Sequence, residues 1–136
     1  MPLTLEQHRM RAAEAAAKTV LDAQLQAPWR TKMLGFGAEV QRCGLLLAIA
    51  YLHRGDKTEC SAIATKAIRD HLAAHGFITM TRAQRAAGVP LLDLLRDLDA
   101  MAYAVVTREV IALSVWLRRV TQARMPRQAP AAPAEA

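Results

Sequence analysis

Aromatic side chains are scarce in this chain of 136 residues: two Trp, two Tyr and two Phe, 4 % of the total. Extended runs of β-branched residues are missing as well. Both absences argue against a sandwich or barrel, whose pleated surfaces are built from such side chains. Cysteine is down to Cys43 and Cys60, too few for a disulfide framework and in keeping with a reducing compartment. The longest apolar run, residues 44–52, is about half of the roughly 20 residues that a membrane-spanning helix requires. The first residues become charged at Glu6 before any apolar segment of a secretory signal has formed. These absences lead to the expectation of a cytoplasmic protein with no membrane association.

Alanine, by contrast, occurs 28 times, and an alanine-rich, aromatic-poor composition favours helix. The length suits one domain with one core. The predicted fold is all-α: a single helical bundle of about five to seven helices over residues 1–124, followed by a disordered Pro/Ala-rich tail at 125–136. Thr4 and Gln7 have the spacing of a capping box. They predict a first helix running to about residue 26 and closed by Pro28. Its apolar side is mostly alanine, with Val20, Leu21 and Leu25. A second helical segment over 29–52 carries Gly35, Gly37 and Gly44. Each glycine costs about 1 kcal/mol relative to alanine, which predicts a break near Phe36 or Cys43. The end of that segment, Leu45-Leu46-Leu47-Ala48-Ile49-Ala50-Tyr51-Leu52, is apolar nearly all round and reads as a central helix; Arg54-Gly55-Asp56-Lys57 reads as the turn after it.

An amphipathic helix is predicted over 59–75, with Cys60, Ile63, Ala67, Ile68 and Leu72 inward, Lys66, Arg69 and Asp70 outward, and Gly76 at its end. Residues 81–87 predict a short helix ending at Gly88, and Pro90 begins another that runs to about residue 98. Asp99 predicts the cap of the longest helix, to about residue 123. Along it Tyr103, Val106, Val110, Leu113, Leu117 and Val120 form an apolar seam in alternating steps of three and four.

Catalytic patterns do not emerge. His71 and His75 have the i,i+4 spacing of two metal ligands. The residues between them are Leu72-Ala73-Ala74, without the glutamate of a metalloprotease helix and without a third ligand nearby. They read as partly buried histidines, and no metal or other cofactor is expected. Asp93, Asp97 and Glu109 read as groups on solvated helix faces. Cys43 has no histidine partner that the sequence reveals. Gly35-Phe36-Gly37 lacks the preceding strand and the following Lys-Ser/Thr of a phosphate loop. The chain is expected not to be an enzyme.

Charge is the remaining signal. The formal net charge is +6, and of the 18 basic residues 14 are arginine, whose planar fork suits phosphate. Such a balance points to nucleic acid, although a solvated surface made basic by composition would look the same. Arg108, Ala112, Val115 and Arg119 form a row opposite the apolar seam, with Arg118 beside it. Arg30, Lys32 and Arg42 flank the glycine-interrupted segment.

Taken in order, two segments resemble one family. Arg42-Cys43-Gly44-Leu45-Leu46-Leu47-Ala48-Ile49-Ala50-Tyr51 is similar to its central signature, in which a Gly-Leu pair opens a buried helix. Further on, Tyr103, then Thr107 and Glu109 as Thr-x-Glu, then Trp116-Leu117-Arg118-Arg119 are similar to its C-terminal signature. The family is the small subunit of the type III-B CRISPR RNA-guided effector, the Cmr complex. The resemblance implies a non-catalytic subunit. Several copies would stack as a filament beside the backbone subunits that hold the guide RNA, and would line the groove that receives target RNA. It implies structural roles in the core for Trp116, Tyr103, Leu45 and Leu117. It also suggests that the alanine-rich first helix permits close packing of neighbouring copies. The candidate RNA-binding residues are Arg30, Lys32, Arg42, Arg118 and Arg119.

Three other readings compete. The type III-A small subunit shares the helical shape, although the Trp-Leu-Arg-Arg ending favours type III-B. A DNA-binding helical regulator needs an exposed recognition helix, and Val89-Pro90-Leu91-Leu92 stand where polar base-reading residues belong. The third reading is a protein-binding adaptor with no nucleic-acid role.

Overall fold

The structure is a computed structural model that describes residues 2–20, 23–53 and 59–125. The expected turn at Arg54-Gly55-Asp56-Lys57 and the expected tail from residue 126 onward lie outside the described residues, as does Leu21. The described residues form seven helices and no strand: α1 (Leu5–Thr19), α2 (Ala23–Cys43), α3 (Leu45–Leu52), α4 (Cys60–Ala74), α5 (Arg82–Ala87), α6 (Leu91–Arg96) and α7 (Ala100–Arg124). The all-α expectation holds.

Local chemistry explains most boundaries. Thr4 Oγ1 accepts from the Gln7 N–H at 3.2 Å while Gln7 Oε1 accepts from the Thr4 N–H at 2.8 Å, so the capping box opens α1. Thr81 and Gln84 repeat this arrangement at α5, and Gly88 ends that helix in the left-handed region at φ 64°. The Asp99 carboxylate accepts from the Ala102 N–H at 2.8 Å and starts α7.

Two predicted boundaries are corrected. The first helix ends at Thr19, with Val20 as its cap; it neither reaches residue 26 nor is closed by Pro28, which lies inside α2. An interior proline removes one ladder hydrogen bond, but the neighbouring Trp29 supplies the compensation. Its ring is fully buried, and its indole N–H donates to Thr121 Oγ1 of α7 at 3.1 Å. The second helical segment runs unbroken past Phe36 and breaks at Gly44, whose φ of 86° and ψ of 162° belong to a region essentially reserved for glycine. One residue thus redirects the chain between α2 and α3.

The core is built around α7. Its Val106, Val110, Leu113, Leu117 and Val120 are buried, as the seam predicts, together with Trp29, Met33, Phe36 and Val40 of α2 and Ala13, Ala16 and Ala17 of α1. The small residues of α1 are therefore used within the molecule, where they bring α1 against α7 and α4. Gly37 marks the close approach of α2 to α7: a Cβ there would stand 2.6 Å from Ser114 Oγ. By length and mean hydropathy α7 is apolar enough to cross a membrane, but its apolar seam is the core of this bundle and its outer face carries arginines.

The core assignments need three adjustments. Leu45 and Leu117 are buried, whereas Tyr103 and Trp116 are only partly buried and pack against the core from its edge. α3 is not a central helix: Leu45, Ala48, Ile49 and Leu52 face inward, but Leu46, Leu47 and Tyr51 are exposed. Met125, expected in the tail, is buried and caps α7.

Candidate nucleic-acid interface

The five candidate RNA-binding residues fall into three different settings. Arg30 and Lys32, on the first half of α2, each place one donor inside the chain. Arg30 Nη1 donates to the Met125 carbonyl at 3.2 Å, at the end of α7. Lys32 Nζ donates to the Leu52 carbonyl at 2.6 Å, at the end of α3. Terminal helix carbonyls have no partner within their own helix and carry the negative end of its dipole, so both cations act as C-terminal caps.

Arg42, in the last turn of α2, is exposed and ion-paired with Glu39 one turn earlier. The hydrogen bond from Arg42 holds the Glu39 carboxyl below its ordinary range. Such a pair in water is weak and can open toward another anion.

Arg118 and Arg119 of α7 are exposed and make no ion pair or side-chain hydrogen bond among the described residues. Arg108, three turns before Arg119 on the same face, is exposed likewise. With Met101, Val105, Ala112 and Val115 these residues form the outer row of α7, opposite the buried seam. Arg118 also borders a shallow groove of about 200 Å³ between α2 and α7, whose walls include Gly37, Gln41 and Val115. The structure therefore brings Arg118 and Arg119 together with Arg108 on an open face, and it places Arg30 and Lys32 at the C-terminal ends of α7 and α3.

Glu109 corrects the sequence reading outright. It is 3 % exposed and sits at the junction of α1, α4 and α7. Arg9 grips it with two donors, Nη2 to Oε1 at 2.5 Å and Nε to Oε2 at 2.8 Å. His71 Nε2 lies 2.8 Å from Oε2. Burial by itself raises the carboxyl pKa, but the hydrogen bonds from Arg9 and His71 outweigh it and hold Glu109 below its ordinary value. An ionised carboxylate only accepts, so His71 Nε2 carries the proton. The hydrogen bond from Arg9 to Glu109 also raises the Arg9 pKa. Both carboxylate oxygens are occupied, and the cluster ties three helices together.

His75 continues this cluster outward. Its ring lies 4.5 Å from that of His8 and 4.8 Å from that of His71, centroid to centroid. Burial pushes the His75 pKa down, and the neighbouring His71 and His8 add to the effect. Among the described residues no group of three or more His, Cys, Asp or Glu is arranged to hold a metal ion.

The sequence contained one unused signal for Glu109. It lies three residues after Val106 and one before Val110, on the buried side of the helix. Its partner Arg9 is 100 positions away, which no local pattern reveals. A second pairing joins the two signature segments: the Leu46 N–H, uncapped at the start of α3, donates to the Tyr103 hydroxyl at 3.1 Å.

Comparison with known proteins agrees with this architecture. The chain is similar to a crystal structure of a CRISPR-associated Cmr5 family protein from Thermus thermophilus, with a TM-score of 0.70 and 18 % identity over 91 % of this chain and 99 % of that one. At that identity the likeness concerns the fold. No curated protein matches the sequence. The profile of the CRISPR-associated Cmr5 family matches residues 5–124, a span that includes every helix from α1 to α7. The chain belongs to the Cmr5 family of CRISPR-associated proteins and is thereby a subunit associated with the type III-B effector.

Proposed function

We propose that the chain is a non-catalytic structural subunit of a cytoplasmic, antiviral RNA-targeting effector. Several copies stack as a filament beside the backbone subunits and contact the phosphates of guide and target RNA. The observation that carries this reading is the open face of α7, where Arg108, Arg118 and Arg119 are exposed with no carboxylate partner among the described residues. In a chain of this family, unpaired arginines along one helix suit a phosphate backbone. Each contact adds affinity that depends on salt rather than on base sequence. Guide pairing then supplies the sequence specificity.

Arg42 adds a separate contact at the end of α2 by releasing Glu39, while Arg30 and Lys32 keep their roles as helix caps. Protein contacts fall on the apolar residues left exposed, Leu46, Leu47 and Tyr51 of α3 with Met101 and Val105 of α7. Exposed apolar groups of this size are characteristic of association surfaces. A DNA-reading role fits poorly, because Leu91 and Leu95 turn the second of the two short helices into the core.

The test is co-purification. The tagged chain is isolated from its native host and any bound RNA is sequenced. Backbone subunits accompanied by short guide RNAs are the expected result. Recovery of the bare chain, or of partners without RNA, removes the proposal.

A further inference from the structure

α5 buries none of its residues, yet it is capped at both ends. Its capping box and left-handed Gly88 hold a helix that adds nothing to the core. Its two charged side chains, Arg82 and Arg85, are exposed and make no ion pair or side-chain hydrogen bond among the described residues. Between Asp70 and Asp93 the sequence contains no carboxylate, so no acid of this segment is at hand to neutralise them.

Arg85 borders a groove of about 310 Å³ between α4 and α5, lined further by Lys66, Arg69, Asp70, Ala73, Ala74 and Met80. Three cations thus face one carboxylate. Asp70 takes Lys66 at 3.1 Å and Arg69 at 3.3 Å, which keeps both beside the α4 wall, and the exposed Lys66 pair is weak enough to open toward another anion. Arg69 also donates to the Val89 carbonyl at 3.3 Å, holding its guanidinium at the groove edge. The remaining lining, Ala73, Ala74 and Met80, is uncharged. The large apolar residues exposed among the described ones lie on α3 and α7, none of them lining this groove. It therefore lacks the anchors that a protein partner fills.

We propose that the α4–α5 groove binds the phosphodiester backbone of single-stranded RNA. It is a second contact surface, sharing no lining residue with the groove beside Arg118. The proposal rests on the RNA-contacting reading above and assigns a new set of residues to it: Arg85 on the α5 wall, Lys66 and Arg69 on the α4 wall, and the exposed Arg82 one turn before Arg85 on the same helix.

The test uses the full-length chain and a fluorescently labelled oligouridine strand, with affinity measured across a salt series. Arg82→Ala/Arg85→Ala is compared with Arg118→Ala/Arg119→Ala; all four positions are exposed, and circular dichroism checks that each variant folds. Each lost phosphate contact reduces the slope of log K against log salt by about 0.7 for a single strand. The α5 double variant is expected to lower the slope by about 1.4, and the combined quadruple variant to lower it further. If the α5 variant keeps the wild-type slope while the α7 variant loses affinity, the groove proposal is overturned and the effector reading stands. If the α5 variant instead changes only self-association in sedimentation, the groove is a protein interface and the proposal again falls. If the wild-type chain shows no salt-dependent binding at all, both readings fall together.

Discussion

Replacing Glu109 with Gln is the sharpest test of how this bundle is held. The change keeps the side chain's size and removes its charge. It leaves the Arg9 guanidinium facing a neutral amide and offers His71 Nε2 one fewer anionic acceptor. Breaking a buried pair by removing one partner costs about 3–5 kcal/mol, because the other charge stays buried without compensation. Arg9 retains 22 % side-chain exposure and can turn partly toward water, which places the loss near the lower end, at about 3 kcal/mol. That is a large share of the roughly 5–15 kcal/mol typical of a domain's total stability. At roughly 4 °C per kcal/mol for this size, the melting temperature should fall by about 12 °C. Thermal unfolding of the full chain at neutral pH, followed by helical circular dichroism, reads this directly. A drop of less than about 3 °C would refute the claim that the cluster joins α1, α4 and α7 energetically. The triple variant Arg9→Met/His71→Leu/Glu109→Leu should recover most of the loss, since well-packed apolar groups often replace a buried ion pair without penalty.

Acid should weaken the fold over two pH ranges. The folded His75 pKa lies below its ordinary 6.5, so the unfolded state takes up the proton first and stability begins to fall as pH drops below about 6.5. Glu109, also lowered from 4.5, contributes stability that is lost only as pH falls below about 4.5; His75→Gln should abolish the first of these losses alone in a pH series of melting curves. Gly35→Ala should stabilise by up to about 1 kcal/mol, because its added Cβ meets nothing within 4 Å. Gly37→Ala should be less stable than Gly35→Ala, and Ser114→Ala should restore part of the difference in denaturant titrations; equal stabilities would show that the α2–α7 approach is not tight. Tyr103→Phe removes the acceptor for the Leu46 N–H and should cost about 0.5–1 kcal/mol, with faster amide exchange at Leu46 as its local signature.

The parts of this fold that were legible in the sequence are those whose signals are local. Thr4 with Gln7, Thr81 with Gln84, Gly88 and Asp99 each mark a helix end with a group one turn away, and the seam of α7 repeats within its own helix. The misplacements come from long-range contacts. Pro28 reads as a terminator until Trp29 is seen bonded to Thr121, and Glu109 reads as a solvated charge until Arg9 meets it. Arg30 and Lys32 look free in the sequence because the carbonyls they cap belong to helices that end 95 and 20 residues away. The arginines of α7 remain candidates because they stand opposite a seam that is unmistakable. The α5 arginines carry no signal in the sequence, because nothing in their own segment says that their helix stays outside the core.

The contacts that close this bundle also set the order in which it can form on the ribosome. Arg9 with Glu109, Trp29 with Thr121 and Arg30 with Met125 all join the first helices to the last one. Until α7 emerges, α1 can meet only α4, and the ring of Trp29 lacks its partner Thr121. At about 5–20 residues per second, the 25 residues of α7 take on the order of seconds to synthesise. During that interval the nascent chain displays unpaired apolar helix faces. Synthesis of α7, rather than of any earlier helix, is therefore what lets α1 and α2 take their places in the bundle.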